Sequence, residues 1–286
     1  MVAKSSFDQM ALSTVEYQEF CKFLRDSAGI DLGDNKQYLV ATRLRRVMSE
    51  IECPSFSELT KLVKRSENFR LRQRVIDDMT TNETFWFRDL YPFDYLKNTA
   101  FPALYKNNPQ ARIRIWSAAC SSGQEPYSLS MTVEECLRQN YSMRNMAVDI
   151  VATDLSSEVL QQARSGIYDQ LSISRGLSPE RLKSYFDDVG EGKWKAKSLI
   201  QNRISYRALN LLDGYVTLGK FDIIFCRNVL IYFSAETKRE ILIKLHNALR
   251  PNGLLFLGSS ESLAGATDYF DMVHCNPGVL YRAKAR

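Results

Sequence analysis

An α/β fold preceded by an all-α N-terminal domain is what this sequence predicts, and three observations predict it. Apolar residues recur at three- and four-residue spacing through the first part of the chain, with no strand-like alternation before residue 110. From Arg112 onward, short apolar strands alternate with helical stretches, the pattern of a mostly parallel sheet with crossover helices. The chain then closes on two apolar runs around Asn276-Pro277-Gly278, which predicts a C-terminal antiparallel hairpin.

The elements follow in order. Tyr17, Phe20 and Leu24 mark a first helix, and Val40, Leu44, Val47, Met48 and Ile51 a second. Leu59, Leu62 and Val63 suggest a third. A fourth runs from about Phe69 to Met79 on Val75, Ile76 and Met79, and stops at Thr80-Thr81-Asn82, residue types that prefer caps and turns. Residues 1–90 are therefore expected to form the helical domain. Residues 91–110, with Pro92, Pro102 and Pro109, are expected to be a connecting helix and loop, and 111–286 the α/β domain. The strand candidates are RIRIWSA, AVDIVATD, ISYRALN, FDIIFCRN and GLLFLGSS. Between them lie helices such as SSEVLQQAR and the stretch from Ala235 to Leu249, where Ile241, Leu245 and Leu249 form a stripe that Leu242 broadens and Pro251-Asn252-Gly253 ends. The segment FDDVGEGKWKAKSLIQNR turns at Gly190 and Gly192, and predicts either a small antiparallel excursion at about 186–207 or an elongated solvated loop.

Composition narrows the function. With 286 residues, 45% hydrophobic and 25% charged, the chain has the make-up of a soluble globular protein of two domains. It has no run of eighteen apolar residues, and MVAKSSFDQM lacks the apolar stretch of a secretory signal, so a cytoplasmic location without membrane insertion is expected. Six cysteines without a C-x-x-C pair, and only His246 and His274, speak against a metal site or a histidine triad and for reduced core thiols. The net charge of +5 is too small to declare a nucleic-acid binder. It is unevenly placed, however: Lys36, Arg43, Arg45 and Arg46 lie between Asn35 and Ser49 with no acid, and five basic residues follow Glu191 up to Arg207.

The candidate site residues lie at strand ends. IWSAACSSGQEPYSLS passes from strand to helix through seven small or polar residues, Ser117 to Gly123, which form either a close floor for a ligand or merely a tight turn. Neither the dinucleotide nor the triphosphate glycine motif is present. Glu125, in the first turn of the following helix, suits the helix dipole and could equally hold a ligand ammonium. Asp154 ends the second strand, where it can accept from both hydroxyls of a ribose or cap the next helix; it lies 154 − 123 = 31 positions beyond Gly123, against about 20 in the dinucleotide pattern. Arg227 and Asn228 leave the strand FDIIFC into the crevice, as ligand contacts or as loop anchors. Cys226, without a partner histidine, reads as a buried strand residue rather than a nucleophile.

Taken in register, TTNETFWFRD, WSAACSSGQEPYSL, VATDLSSEVLQQARSGIY, FDIIFCRNVLIYF and RPNGLLFLGSSESL resemble the CheR-type chemotaxis receptor glutamate O-methyltransferases over nearly the whole chain. The resemblance implies a Rossmann-like class I methyltransferase sheet with a small antiparallel β-subdomain. S-adenosylmethionine is the implied cofactor, with S-adenosylhomocysteine as product and no metal. The implied cofactor contacts are Asn82, Thr84, Arg88, Glu125, Asp154, Asn210, Leu211, Arg227 and Asn228, with Arg88 also counted as catalytic. Where the family's first turn often reads S-T-G-E-E-P, this chain has Gln124 before Glu125, and the Val189 to Lys193 turn is compact where some members dock a receptor peptide.

The implied reaction turns a glutamate side chain of a chemotaxis receptor into its methyl ester. With a reference pKa of about 4.3 that carboxylate is already ionised near neutrality, so no general base is needed and positioning supplies most of the acceleration. Tyr232 is the candidate for orienting it, or packs against the following helix instead. Arg43, Arg45 and Arg46 are candidates for steering the receptor's cytoplasmic helical bundle, or form a solvated face. A nucleic-acid methyltransferase is the alternative enzyme, although C-R-N stands where an adenine-amino enzyme would carry a D/N-P-P-Y/F motif; a non-catalytic cofactor-binding adaptor is the alternative of another class.

Overall fold

A computed structural model describes residues 12–285. The opening MVAKSSFDQM, considered above as a leader, lies outside the described residues. The chain divides into two compact units, one running up to Thr81 and including Tyr232–Thr237, the other comprising Asn82–Ile231 and the residues from Lys238 on.

The first unit contains α1 (Thr14–Ala28), α2 (Gln37–Glu50), α3 (Phe56–Lys64) and α4 (Phe69–Met79). Ser13 and Glu16 close a reciprocal capping box on α1, and Gly29, at φ 72°, ends it in the left-handed conformation that glycine adopts without strain. Most of the periodic residues are buried: Tyr17, Phe20 and Leu24 from α1, Val40, Leu44 and Val47 from α2, Leu59 and Val63 from α3, Val75 and Ile76 from α4, whereas Leu62 is only half-buried. Ile51 belongs to the same pattern but falls just past the end of α2 and is exposed.

In the second unit the strands are β1 (Ile113–Ala118), β2 (Val148–Asp154), β3 (Ile167–Asp169), β4 (Phe186–Asp188), β5 (Lys193–Ala196), β6 (Ile204–Ala208), β7 (Phe221–Cys226), β8 (Leu249–Leu257), β9 (Phe270–Cys275) and β10 (Gly278–Ala283). Seven of them form one sheet in the order β6-β2-β1-β7-β8-β10-β9. The five from β6 to β8 are parallel, and β10 runs antiparallel to both β8 and β9. The central strands read as continuous apolar runs because helices cover both faces of a parallel sheet. From β1 the order runs to β2 and β6 on one side and to β7 and β8 on the other, so the carboxyl end of β1 is the switch point at which open α/β sheets take ligands.

Two features add to the sequence-based expectation. Residues 91–107 are helical almost throughout, and their Phe93, Leu96 and Phe101 enter the main core of this unit. The small antiparallel sheet has three strands in the order β3-β5-β4; the β4–β5 turn is closed by Val189 and Lys193, whereas β3 lies well upstream of 186–207. Its three residues, of which only Tyr168 is buried, are too few to show alternation. Among the described residues no helix is long and apolar enough to cross a membrane.

Candidate active site

The crevice at the carboxyl ends of the strands has two banks. On the first, the bend after β1 places Ala119, Ser121 and Gly123 at φ 59°, 50° and 98°. At Gly123 a side chain has no room, because a Cβ would lie 2.9 Å from both the Tyr168 hydroxyl and the Ala163 Cβ. Tyr168 donates to the Ser122 carbonyl at 2.8 Å, so the small sheet fastens the bend. Asp154, at the end of β2, accepts from the Ser121 N–H at 2.7 Å and the Ser156 N–H at 3.0 Å. Burial pushes its pKa up while the backbone donors of Ser156, Ser121 and Leu155 pull it back. An ionised carboxylate offers about four acceptor positions, so Asp154 keeps capacity for a ligand hydroxyl.

Two further segments approach this bank. The Asn82 carbonyl accepts from the Ser121 hydroxyl at 2.8 Å. Beyond it, Trp86 anchors the stretch by packing edge-on against Tyr168 and Phe186 and donating its indole N–H to the Ser172 carbonyl at 2.9 Å. After β6, the Leu209 N–H donates to the Asp154 carbonyl at 3.0 Å, which carries Asn210 and the buried Leu211 past the end of β2.

On the second bank, Arg227 follows β7 with its side chain 1% exposed. One guanidinium nitrogen lies 3.3 Å from Glu125, and the other is 2.6 Å from Asp89 and 2.8 Å from the Arg88 carbonyl. Glu125 also accepts from the Ser117 hydroxyl at 2.7 Å, so it joins the two banks. Burial raises its pKa, against the opposing pull of Arg227 and Ser117. Asn228 adopts φ 57°, and its side-chain oxygen Oδ1 is buried without a partner among the described residues. The Arg88 guanidinium lies 5.0 Å from the centre of the Phe85 ring, and Thr84 is half-buried.

The chain matches the model of the CheR methyltransferase S-adenosylmethionine-binding domain over residues 82–279, and that of the CheR methyltransferase all-alpha domain over residues 15–80. It belongs to the CheR methyltransferase family. Its relatives include a chemotaxis protein methyltransferase of Pseudomonas putida, 51% identical over 96% of this chain and 100% of the relative. Another from Pseudomonas aeruginosa is 53% identical with the same coverage, and one from Vibrio parahaemolyticus 47% identical over 96% of this chain and 99% of its own. This CheR methyltransferase is accordingly an S-adenosylmethionine-dependent methyltransferase of chemotaxis.

The residues of the crevice fit that cofactor on their own chemistry. A buried carboxylate with spare acceptor capacity, a second buried carboxylate and an orphaned amide oxygen are what a ligand with ribose hydroxyls and an amino acid end requires. Among the described residues no group of three or more His, Cys, Asp or Glu gathers as a metal site. Cys226 is a fully buried strand residue.

The other candidates belong to the helical unit. Arg43 donates to the Met79 and Thr80 carbonyls at 2.7 and 3.1 Å and to the Thr81 hydroxyl at 3.1 Å, satisfying the C-terminal end of α4. Arg46 pairs with Glu50 at 2.9 Å and is exposed, as is Arg45. Tyr232 is half-buried in a single helical turn, Leu230–Tyr232, and its carbonyl accepts from the Asp31 N–H at 2.8 Å. Sequence reasoning missed Asp89, the second partner of Arg227, and Glu261. Both stand inside motifs quoted above, and their signal was position alone: an acid just after a site arginine, and an acid four residues beyond the end of β8.

Proposed function

We propose that this CheR methyltransferase methylates glutamate side chains on the cytoplasmic helical bundle of chemotaxis receptors, releasing S-adenosylhomocysteine, and that it works in the cytoplasm. The observation that carries this is the extent of the match, which spans the all-α domain as well as the cofactor domain and covers the whole of the Pseudomonas relatives. When bound, the cofactor supplies an electrophilic methyl group. The protein's part is to hold and align: Asp154 accepts from the ribose hydroxyls, and Glu125 faces the ammonium of the methionine portion. Asn82, Thr84, Arg88, Asn210, Leu211 and Asn228 complete the cofactor's surroundings, with Arg227 setting the position of Glu125. A glutamate nucleophile with a pKa of about 4.3 arrives ionised, so no side chain has to accept its proton, and the Tyr232 hydroxyl orients it.

Incubation with labelled S-adenosylmethionine and either receptor membranes or RNA tests the substrate class; label in base-labile esters on receptor is expected, and label in RNA would reverse the assignment. Tyr232→Phe should lower turnover ten- to a hundredfold, since a hydrogen bond to a charged group contributes roughly 1.5–3 kcal/mol, while leaving S-adenosylhomocysteine affinity nearly unchanged. The three arginines should separate. Reversing the charges of Arg45 and Arg46 should reduce methylation at subsaturating receptor and low salt while lowering stability only slightly, by turning the Arg46–Glu50 pair into a like-charge contact. Arg43→Ala should instead lower stability by about 1–3 kcal/mol, because it strips donors from the end of α4.

A further inference from the structure

The left-handed residue that opens the loop after β7 is held by an acid that no part of the proposed mechanism uses. Glu261 accepts from the Asn228 N–H at 2.7 Å, the Gly258 N–H at 2.7 Å and the Ile231 N–H at 3.3 Å. Cys226 and Leu257 are register partners on the neighbouring strands β7 and β8, so this carboxylate ties together the two chains that leave them. Three donors converge and no acceptor is among them, which suits a group that can only accept; an amide of the same shape would turn its NH2 toward an N–H. Gly258 belongs to the same device. A Cβ there would lie 2.7 Å from the Asn228 side-chain nitrogen, 2.7 Å from a Glu261 carboxylate oxygen and 2.9 Å from the Asn228 backbone nitrogen.

We infer that Glu261 is a positioning residue that fixes Asn228 at φ 57° and so presents its unpartnered Oδ1 to the cofactor. This rests on the proposed contact between Asn228 and the cofactor. Glycine tolerates the left-handed conformation, so Asn228→Gly removes the side chain without adding strain.

The test is a double-mutant cycle read by calorimetry of S-adenosylhomocysteine binding. Glu261→Gln should weaken binding about tenfold, and the same substitution added to Asn228→Gly should cost almost nothing further, because a residue acting through Asn228 has nothing left to position. Gly258→Ala, a second route to the same displacement, should behave alike. Backbone hydrogen exchange over residues 226–232 should quicken in Glu261→Gln, with exchange in β2 unchanged. No loss of affinity in Glu261→Gln, or a loss that persists undiminished in the double variant, overturns the assignment. Full affinity in Asn228→Gly alone would instead remove Asn228 from the cofactor contacts, and since no receptor is present the outcome is independent of the substrate class.

Discussion

The two banks of the crevice hold their charged groups by different means. Asp154 is gripped by backbone donors, Ser156 two positions away and Ser121 thirty-three, both set by the shape of a single bend and the strand beside it. Arg227 is gripped by side chains and a carbonyl that lie 102, 138 and 139 positions away, brought in by the segment before the first strand and by the helix after it. The first bank is therefore a property of local backbone geometry. The second is a charge balance among distant segments, and it should fail more severely when one charge is removed.

Arg227→Ala is the sharpest way to break that contrast. It leaves Glu125 and Asp89 without their shared guanidinium, and removing one partner of a buried ion pair costs about 3–5 kcal/mol. Denaturant unfolding should register a loss near the lower end, because the Asp89 side chain is 28% exposed and can turn to water. Arg227→Lys, which keeps the charge but cannot reach both carboxylates in the planar geometry of a guanidinium, should lie between. A loss below about 1 kcal/mol for Arg227→Ala would mean that the second bank is no more coupled than an ordinary surface pair.

Asp154→Ala should have a smaller effect on stability and a clear one on binding. The Ser121 and Ser156 N–H groups lose their acceptor, which costs about 1–3 kcal/mol, yet the burial that raises the pKa of Asp154 is relieved at the same time. S-adenosylmethionine and S-adenosylhomocysteine should weaken together, by roughly ten- to a hundredfold, since both carry the same ribose. Unchanged affinity for both in calorimetry would remove Asp154 from the site and leave it as a clamp on the bend.

The same contrast explains what the sequence made legible. The periodic stripes of the four helices, the strand runs and the small-residue bend are local signals, and they stand in the structure at Phe69–Met79, Ile113–Ala118 and Val148–Asp154 much as the pattern predicts. Asp154 and Arg227 were legible because strand ends are recognisable from where apolar runs stop. Asp89 and Glu261 were not, because each matters through a partner far along the chain, and nothing in its own neighbourhood distinguishes it from a solvated acid. β3 was missed for a related reason, since three residues with one buried side chain take their strand character from pairing with β5. Arg43 shows the converse: its charge was legible, but its engagement with the end of α4 was not.

Glu125 belongs to both banks, and its pH dependence gives the smallest but most selective test of how they are joined. Burial raises its pKa above the ordinary 4.5, so the folded protein without cofactor holds this proton more tightly than the unfolded chain does. The sign follows: the stability contributed by the proton is fully present below the ordinary value and is lost as pH rises through the raised one. Binding should slope the other way, because only the ionised carboxylate attracts an ammonium, so S-adenosylhomocysteine affinity should climb across the same window by at most about tenfold per pH unit. Glu125→Gln should flatten both slopes, leaving the part that Asp154, also raised by burial, contributes in the same direction. The difference between the wild type and Glu125→Gln then isolates one proton. Should that difference vanish while Arg227→Ala still destabilises, Glu125 would be a structural counter-ion of Arg227 rather than a contact of the cofactor.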